Sequence, residues 1–172
     1  MPDCFRNLTQ LVKIQLWWSR LDEDRTIDIL GGLPKLMFLN LNYSAYDGKK
    51  LVVRQGALQN LIKIDIWSQF HLTEIGFEQG ASPKLESIEI SCCRLKSGIY
   101  GIKHLPKLKD IYLCYGSKVA RLGMLQKEVN LHHSKPVLRL QKDRNYHDLG
   151  DTDGPDEFFE AMESLSGNTE EN

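Results

Sequence analysis

The sequence predicts an α/β solenoid in which short parallel strands stack into one concave sheet, backed on the convex side by irregular helices and loops. Three observations predict it. An apolar phrase, Leu-x-x-Leu-x-x-Leu-x-Leu with Ile admitted at the last two places, recurs along the chain. Its copies are Leu8/Leu11/Ile14/Leu16, Leu33/Leu36/Leu39/Leu41, Leu58/Leu61/Ile64/Ile66, Ser82/Leu85/Ile88/Ile90 and Leu105/Leu108/Ile111/Leu113. The last apolar residue of each copy falls at 16, 41, 66, 90 and 113, which gives steps of 25, 25, 24 and 23 residues. Each copy closes in alternation, as in Lys13-Ile14-Gln15-Leu16 and Lys63-Ile64-Asp65-Ile66. Period-two alternation with β-branched residues argues a short strand.

A phrase of this form at a period of ~20–29 residues is the signature of a leucine-rich repeat. Alternate side chains of a strand point to opposite faces, so the Leu/Ile set faces the core. Three outward columns follow: Lys13, Phe38, Lys63, Ser87, Asp110; then Gln15, Asn40, Asp65, Glu89, Tyr112; then Trp17, Asn42, Trp67, Ser91, Cys114. Stacked repeats set neighbouring strands ~4.8 Å apart. The place three residues after the phrase, where an Asn or Cys side chain ties adjacent turns together, holds Ser19, Ser44, Gln69, Cys93 and Gly116. This degenerate pattern predicts an irregular solenoid.

The returning segments differ from one another. Residues 22–32 suit a short helix ended by glycine. Leu95, Ile99, Ile102 and Leu105 have helical spacing as well. Val53-Arg54-Gln55-Gly56-Ala57 matches Phe77-Glu78-Gln79-Gly80-Ala81, and Leu51-Val52-Val53 predicts a short extended piece on the convex side. Beyond Leu113, Leu122, Leu125, Val129 and Leu131 allow a last helix, and Pro136 to Leu140 one capping strand. Residues 1–149 are thus expected to form one repeat domain of about five repeats with a degenerate C-terminal cap. The first repeat begins at once with Phe5, Leu8 and Leu11, so the chain is expected to be the last part of a longer array.

The total charge of −1 hides an asymmetry. Residues 150–172 carry eight acidic side chains and no Lys or Arg, leaving 22 basic against 15 acidic over residues 1–149. The acidic tail is expected to be disordered. Pro155 to Leu165 has amphipathic helical spacing, and composition favours its remaining solvated. A charge near zero gives no case for a nucleic-acid partner. No apolar run reaches the ~18 residues of a membrane span. The N-terminus has no signal-peptide pattern. Cys4, Cys92, Cys93 and Cys114 have neither disulfide-framework nor zinc-site spacing, so free thiols in a reducing compartment are expected.

At these residues the chain resembles a known family. Met1-Pro2-Asp3-Cys4-Phe5-Arg6-Asn7-Leu8-Thr9-Gln10-Leu11 is similar to the P-x-W-F-x-x-L-x-x-L opening of a late repeat in plant nucleotide-binding leucine-rich-repeat disease resistance proteins of the coiled-coil type, with Cys4 in place of Trp. Leu33-Pro34-Lys35-Leu36 with Ala45-Tyr46-Asp47-Gly48 resembles that family's LP-x-L…AYDG repeat. Gly80-Ala81-Ser82-Pro83-Lys84-Leu85, Cys92-Cys93-Arg94-Leu95, Gly101-Ile102-Lys103-His104-Leu105 and Pro136-Val137-Leu138-Arg139-Leu140 resemble its closing repeats. The resemblance implies a cytoplasmic immune receptor whose repeat domain restrains a nucleotide-driven switch and recognises pathogen effectors. The phosphate-binding G-x-x-x-x-G-K-[ST] of that switch is absent here, because Tyr43 stands where Asp47-Gly48-Lys49-Lys50 would need its preceding glycine. Only recognition and restraint carry over.

Side chains that suggest chemistry are weighed against plainer roles. His132-His133 reads as a pair of surface histidines rather than metal ligands. Cys93 reads as a buried inert thiol. Ser82, His104 and Asp110 form a triad by composition alone. Trp17 and Trp67 stand apart, because both fall on outward columns two repeats, or roughly 10 Å, apart. Large aromatics anchor interfaces, although packing on Phe38 or lysine stems would also explain them. Trp17, Trp67, Asp65, Glu89 and Tyr112, with Lys13, Gln15, Phe38, Asn40 and Lys63, are therefore expected to line a protein-binding concave face. No cofactor, metal or turnover is expected. The expected partner is a protein: a pathogen effector, a guarded host protein or an upstream nucleotide-binding domain. The other readings are a truncated repeat scaffold, a receptor ectodomain, which predicts secretion and capping disulfides, and an enzyme, which predicts a convergent polar pocket.

Overall fold

The computed structural model describes residues 7–114 and 116–141. The concave side is one parallel sheet, in the order β1 (Lys13–Trp17), β2 (Phe38–Asn42), β4 (Lys63–Trp67), β6 (Ser87–Ser91), β9 (Asp110–Cys114) and β11 (Val137–Leu140). The register has no stagger: Ile14 pairs with Leu39, Leu39 with Ile64, Ile64 with Ile88, Ile88 with Ile111, and Leu138 with Ile111. The repeat length therefore sets the pairing, and like positions lie side by side. Inward residues from Leu39 to Leu113 are buried and form one continuous core with Leu36, Leu61, Leu85 and Leu108. No single repeat can cover that edge by itself; its neighbours do.

The first copy of the phrase departs from the expected burial. Leu8 is exposed, and Leu11 and Leu16 are half-buried. No described repeat stacks on that side of β1 to cover them.

The convex side follows the sequence where backbone chemistry permits. The helix expected over 22–32 is α1 (Glu23–Gly31). The extended piece expected at Leu51–Val53 is β3 (Lys50–Val53); it pairs in parallel with β5 (Glu74–Phe77), and Gly56 and Gly80 of the matched segments take the same left-handed turn at φ 78° and 79°. The helix expected over 95–105 does not form. β7 (Arg94–Leu95), β8 (Gly98–Tyr100) and a 3-10 turn at Ile102–His104 occupy the segment, with β8 completing the β3–β5 sheet. Gly98 and Gly101 have φ of 85° and 78°, which ends any α-helix there. A Cβ at Gly101 would lie 2.0 Å from the Phe77 carbonyl oxygen.

The last unit contains β10 (Lys118–Val119), α2 (Leu122–Leu131) and β11. Leu122, Leu125 and Val129 of α2 are buried, but Leu131, expected on the same face, is 87% exposed. His132 corrects the surface reading of its pair, being only 4% exposed. Its Nε2 lies 3.1 Å from the Ile102 carbonyl, and its Nδ1 accepts from the Ser134 N–H at 3.1 Å. This pins the cap to the preceding repeat, while His133 stays outside with its ring stacked 4.6 Å from that of His132.

Side chains also tie the turns together, at Gln69 and Cys93 as expected and at Ser117 in place of Gly116. Gln69 Nε2 donates to the Leu41 carbonyl at 3.0 Å, Cys93 Sγ to Ile66 at 3.7 Å and Ser117 Oγ to Ile90 at 3.0 Å. The column repeats every 24 residues, so its place in the second repeat falls on Ala45, which has no side chain to tie with, rather than on Ser44, and in the last on Ser117 rather than Gly116. Gln69 also accepts from the Tyr46 N–H at 2.9 Å.

Replacing the fully buried Ile64 by Ala should lower unfolding stability by ~2–5 kcal/mol. Chemical denaturation measures this, and an unchanged midpoint would contradict the stacked core.

Candidate functional site

The concave face carries all ten expected site residues in two rows and a rim. Lys13, Phe38 and Lys63 stand in adjacent register, as do Gln15, Asn40, Asp65, Glu89 and Tyr112. The third column is only partly outward. Trp17 and Trp67 are 52% and 40% exposed, but Asn42, Ser91 and Cys114 are buried. The physical reason is the turn that follows. Trp18, Tyr43, Ser68 and Cys92, each the first residue after its strand, are left-handed at φ between 46° and 54°. The chain bends inward there and takes the small side chains with it. The strained backbone is held by cross-repeat bonds, Tyr43 N–H to the Trp67 carbonyl at 2.9 Å and Ser68 N–H to the Ser91 carbonyl at 2.9 Å.

This turn builds a feature that the linear pattern does not reveal. Tyr43 is inserted between repeats as the central ring of an aromatic stack. Its centroid is 5.4 Å from Trp17, 5.3 Å from Trp18 and 5.6 Å from Trp67, with interplanar angles of 21°, 19° and 29°. The tryptophans pack on Tyr43, a contact the sequence reading did not foresee. Offset stacks of this kind add ~0.5–1.5 kcal/mol per pair beyond area burial. All three tryptophans of the chain lie on this one rim, and Trp18 is 65% exposed. The exposed Phe70 follows on the loop after β4. Tyr43, Trp18 and Phe70 were absent from the expected site. The usable signal was positional, since Trp18 and Tyr43 both stand two residues after the phrase.

Below the rim lies a charged centre. Lys63 Nζ sits 3.1 Å from Asp65 Oδ1 and 2.9 Å from Glu89 Oε2. Burial raises the Asp65 carboxyl above its ordinary value, against the opposing pull of Lys63. Burial depresses the Lys63 ammonium, but its bonds to Glu89 and Asp65 outweigh this and hold it above the ordinary lysine value. At the next repeats, Arg139 lies over the Tyr112 ring at 5.4 Å and its Nε is 3.5 Å from Asp110 Oδ1. The face is thus a mixed polar floor beneath an aromatic rim.

Other side chains with chemical potential are accounted for differently. Cys93 is buried, and burial pushes its thiol up to about 11, so the thiolate is suppressed at neutral pH. Ser82 Oγ is buried without a hydrogen-bond partner among the described residues, so no base activates it. The convex side has an open groove of about 940 Å³ between β8 and α2, lined by Glu74, Glu78, Tyr100, Lys103, His104 and Glu128 among others. Its acids are engaged: Glu78 accepts from the Gln55 N–H at 3.0 Å, Glu128 from the Lys103 N–H at 2.9 Å, and Glu74 pairs with Lys50 at 3.3 Å. The groove arises where strand-backed repeats meet a helix-backed one. Among the described residues no helix is long and apolar enough to cross a membrane.

The family described as "Leucine-rich repeat region" matches residues 1–138. The chain belongs to the leucine-rich-repeat family. Its repeat region is similar to "Disease resistance protein RPM1" of Arabidopsis thaliana, 35% identical over 118 residues, which are 68% of this chain and 12% of that protein. It is also similar to "Disease resistance protein RPH8A" and "Disease resistance protein RPP8" of the same plant, each 30% identical over 112 residues, 64% of this chain and 12% of theirs. The chain spans about an eighth of the length of these relatives. The family expected from the motifs is therefore the one found. The AYDG motif has a structural basis, with Ala45 and Tyr46 buried and Tyr46 Oη donating to the Lys50 carbonyl at 2.5 Å.

A carboxyl raised in the folded chain holds its proton more tightly there than in the unfolded chain. Its contribution to stability falls as pH rises through the range above the ordinary carboxylate value. Asp65→Asn should therefore be at least as stable as the natural chain at neutral pH, and the difference should vanish below pH ~4. Denaturation at both pH values measures this; a destabilised variant at neutral pH would contradict it.

Proposed function

We propose that the chain is a non-enzymatic protein-interaction module of a plant disease resistance protein, working in the cytoplasm. It recognises a protein through its concave face and rim. The partner is a pathogen effector, a host protein that the receptor guards, or the nucleotide-binding domain of the same receptor, which it would hold at rest. The observation that carries this reading is the aromatic stack of Trp17, Trp18, Tyr43 and Trp67. Stacked rings are rigid, so little side-chain entropy is lost when a partner covers them. Large aromatics at the rim of a polar floor have the composition of an interface anchor. The similarity to disease resistance proteins supports the biological setting.

Nothing in this mechanism turns over a substrate. Lys63, Asp65, Glu89 and Tyr112 supply polar contacts that fix orientation, and the rim supplies apolar area. Binding follows from surface complementarity, and restraint from the same contact made within one receptor.

The test replaces Trp17 and Trp67 together by alanine and titrates the variant against candidate effectors and against the receptor's nucleotide-binding domain. Loss of an interface anchor weakens binding by about 30-fold or more. Circular dichroism establishes that the variant stays folded. Undiminished affinity in the folded double variant for a partner that binds the natural chain would refute the concave-face reading.

A further inference from the structure

We propose that the acidic C-terminal segment, through residues 155–165, covers the open C-terminal end of the repeat array by docking on β11 and the outer side of α2. Three observations on that end carry the proposal.

The first is an incomplete burial. β11 is the last strand of the concave sheet, paired with β9 on one side. Leu138 and Leu140 occupy the inward columns, where Ile88, Ile90, Ile111 and Leu113 are fully covered, yet both are only half-buried. Val137 beside them is 48% exposed. A parallel sheet edge backed by a half-covered leucine strip is a surface that folded chains ordinarily cover.

The second is charge. Between Gly116 and Gln141 the chain holds Lys118, Arg121, Lys127, Lys135 and Arg139 against the single acid Glu128. Lys127, Lys135 and Arg139 are exposed. Residues 150–172 carry eight acids and no Lys or Arg. The most acidic stretch of the sequence thus follows a predominantly basic part of the described fold.

The third is where the chain leaves. Gln141 directly follows β11 at this same surface, its N–H donating to the Leu113 carbonyl at 2.9 Å. The residues between Gln141 and Pro155 reach far more than the breadth of one repeat, at up to ~3.4 Å per residue. Phe158, Met162 and Leu165 fall at i, i+4 and i+7 behind Pro155, the spacing of one apolar helical stripe with acids around it. That stripe fits the Leu138 and Leu140 strip, and its acids fit Lys127 and Lys135. Composition alone favours a solvated tail. What composition omits is a basic, half-covered leucine edge at the point where the tail begins.

Hydrogen exchange on the full chain tests this with two independent variants. Phe158→Ser with Met162→Ser removes the stripe, and Lys127→Glu with Lys135→Glu reverses the basic surface. Amides of residues 137–140 should exchange about tenfold faster or more in each variant, with β4 and β6 unchanged, because local opening at an uncovered edge requires little free energy. High salt should move the natural chain in the same direction. Unchanged exchange at 137–140 in both variants would overturn the proposal. So would protection lost on β4 and β6 instead of on β11, since the segment would then lie away from the C-terminal edge.

Discussion

The structure depends on one constraint, the unstaggered parallel register of the concave strands. Lys13, Phe38, Lys63, Ser87 and Asp110 are successive register partners, so a repeat of 23 to 25 residues returns each strand to the same height. From this follow the buried columns of Leu and Ile, the outward rows of the face and the side-chain ties at Gln69, Cys93 and Ser117. Any slip by one residue would turn the isoleucines to solvent and the charges to the core. Variation in repeat length is absorbed outside the concave sheet, where helices, short strands and a 3-10 turn serve one purpose.

The same constraint generates the site. Because the strands end level, the left-handed residues after them also stand in line, and large side chains placed there meet. Tyr43 reaches Trp17, Trp18 and Trp67 for that reason, with no strand of its own to present it. Beneath it, register brings Lys63 between Asp65 and Glu89. The candidate face is thus a by-product of stacking, and its chemistry lies in which side chains occupy repeated positions.

Much of this was legible in the sequence, for a physical reason. The inward half of each phrase obeys a single requirement, apolar burial at period two, and Leu39, Ile64, Ile88 and Ile111 satisfy it without exception. The outward half obeys it only while the chain remains extended. At the third column the turn has begun, so Asn42, Ser91 and Cys114 go inside while Trp17 and Trp67 remain out. The Ala45 and Ser117 positions were displaced by one because this column repeats every 24 residues, whereas the phrase steps beside them are 25 and 23. Leu95, Ile99, Ile102 and Leu105 show that spacing alone does not make a helix when Gly98 and Gly101 hold positive φ. His132 was misplaced because a buried imidazole satisfied by two backbone groups leaves no pattern in its neighbours.

Register is therefore the feature to measure. Cysteines placed at Asn40 and Asp65 would be direct partners on neighbouring strands, within the Cα separation of ~4.4–6.8 Å that a disulfide spans, whereas cysteines at Asn40 and Lys63 would lie beyond it. Asn40→Cys with Asp65→Cys should form a disulfide readily under mild oxidation in the folded chain, and Asn40→Cys with Lys63→Cys should not. Faster bridging by the second pair would contradict the register, and with it the core, the rim and the site.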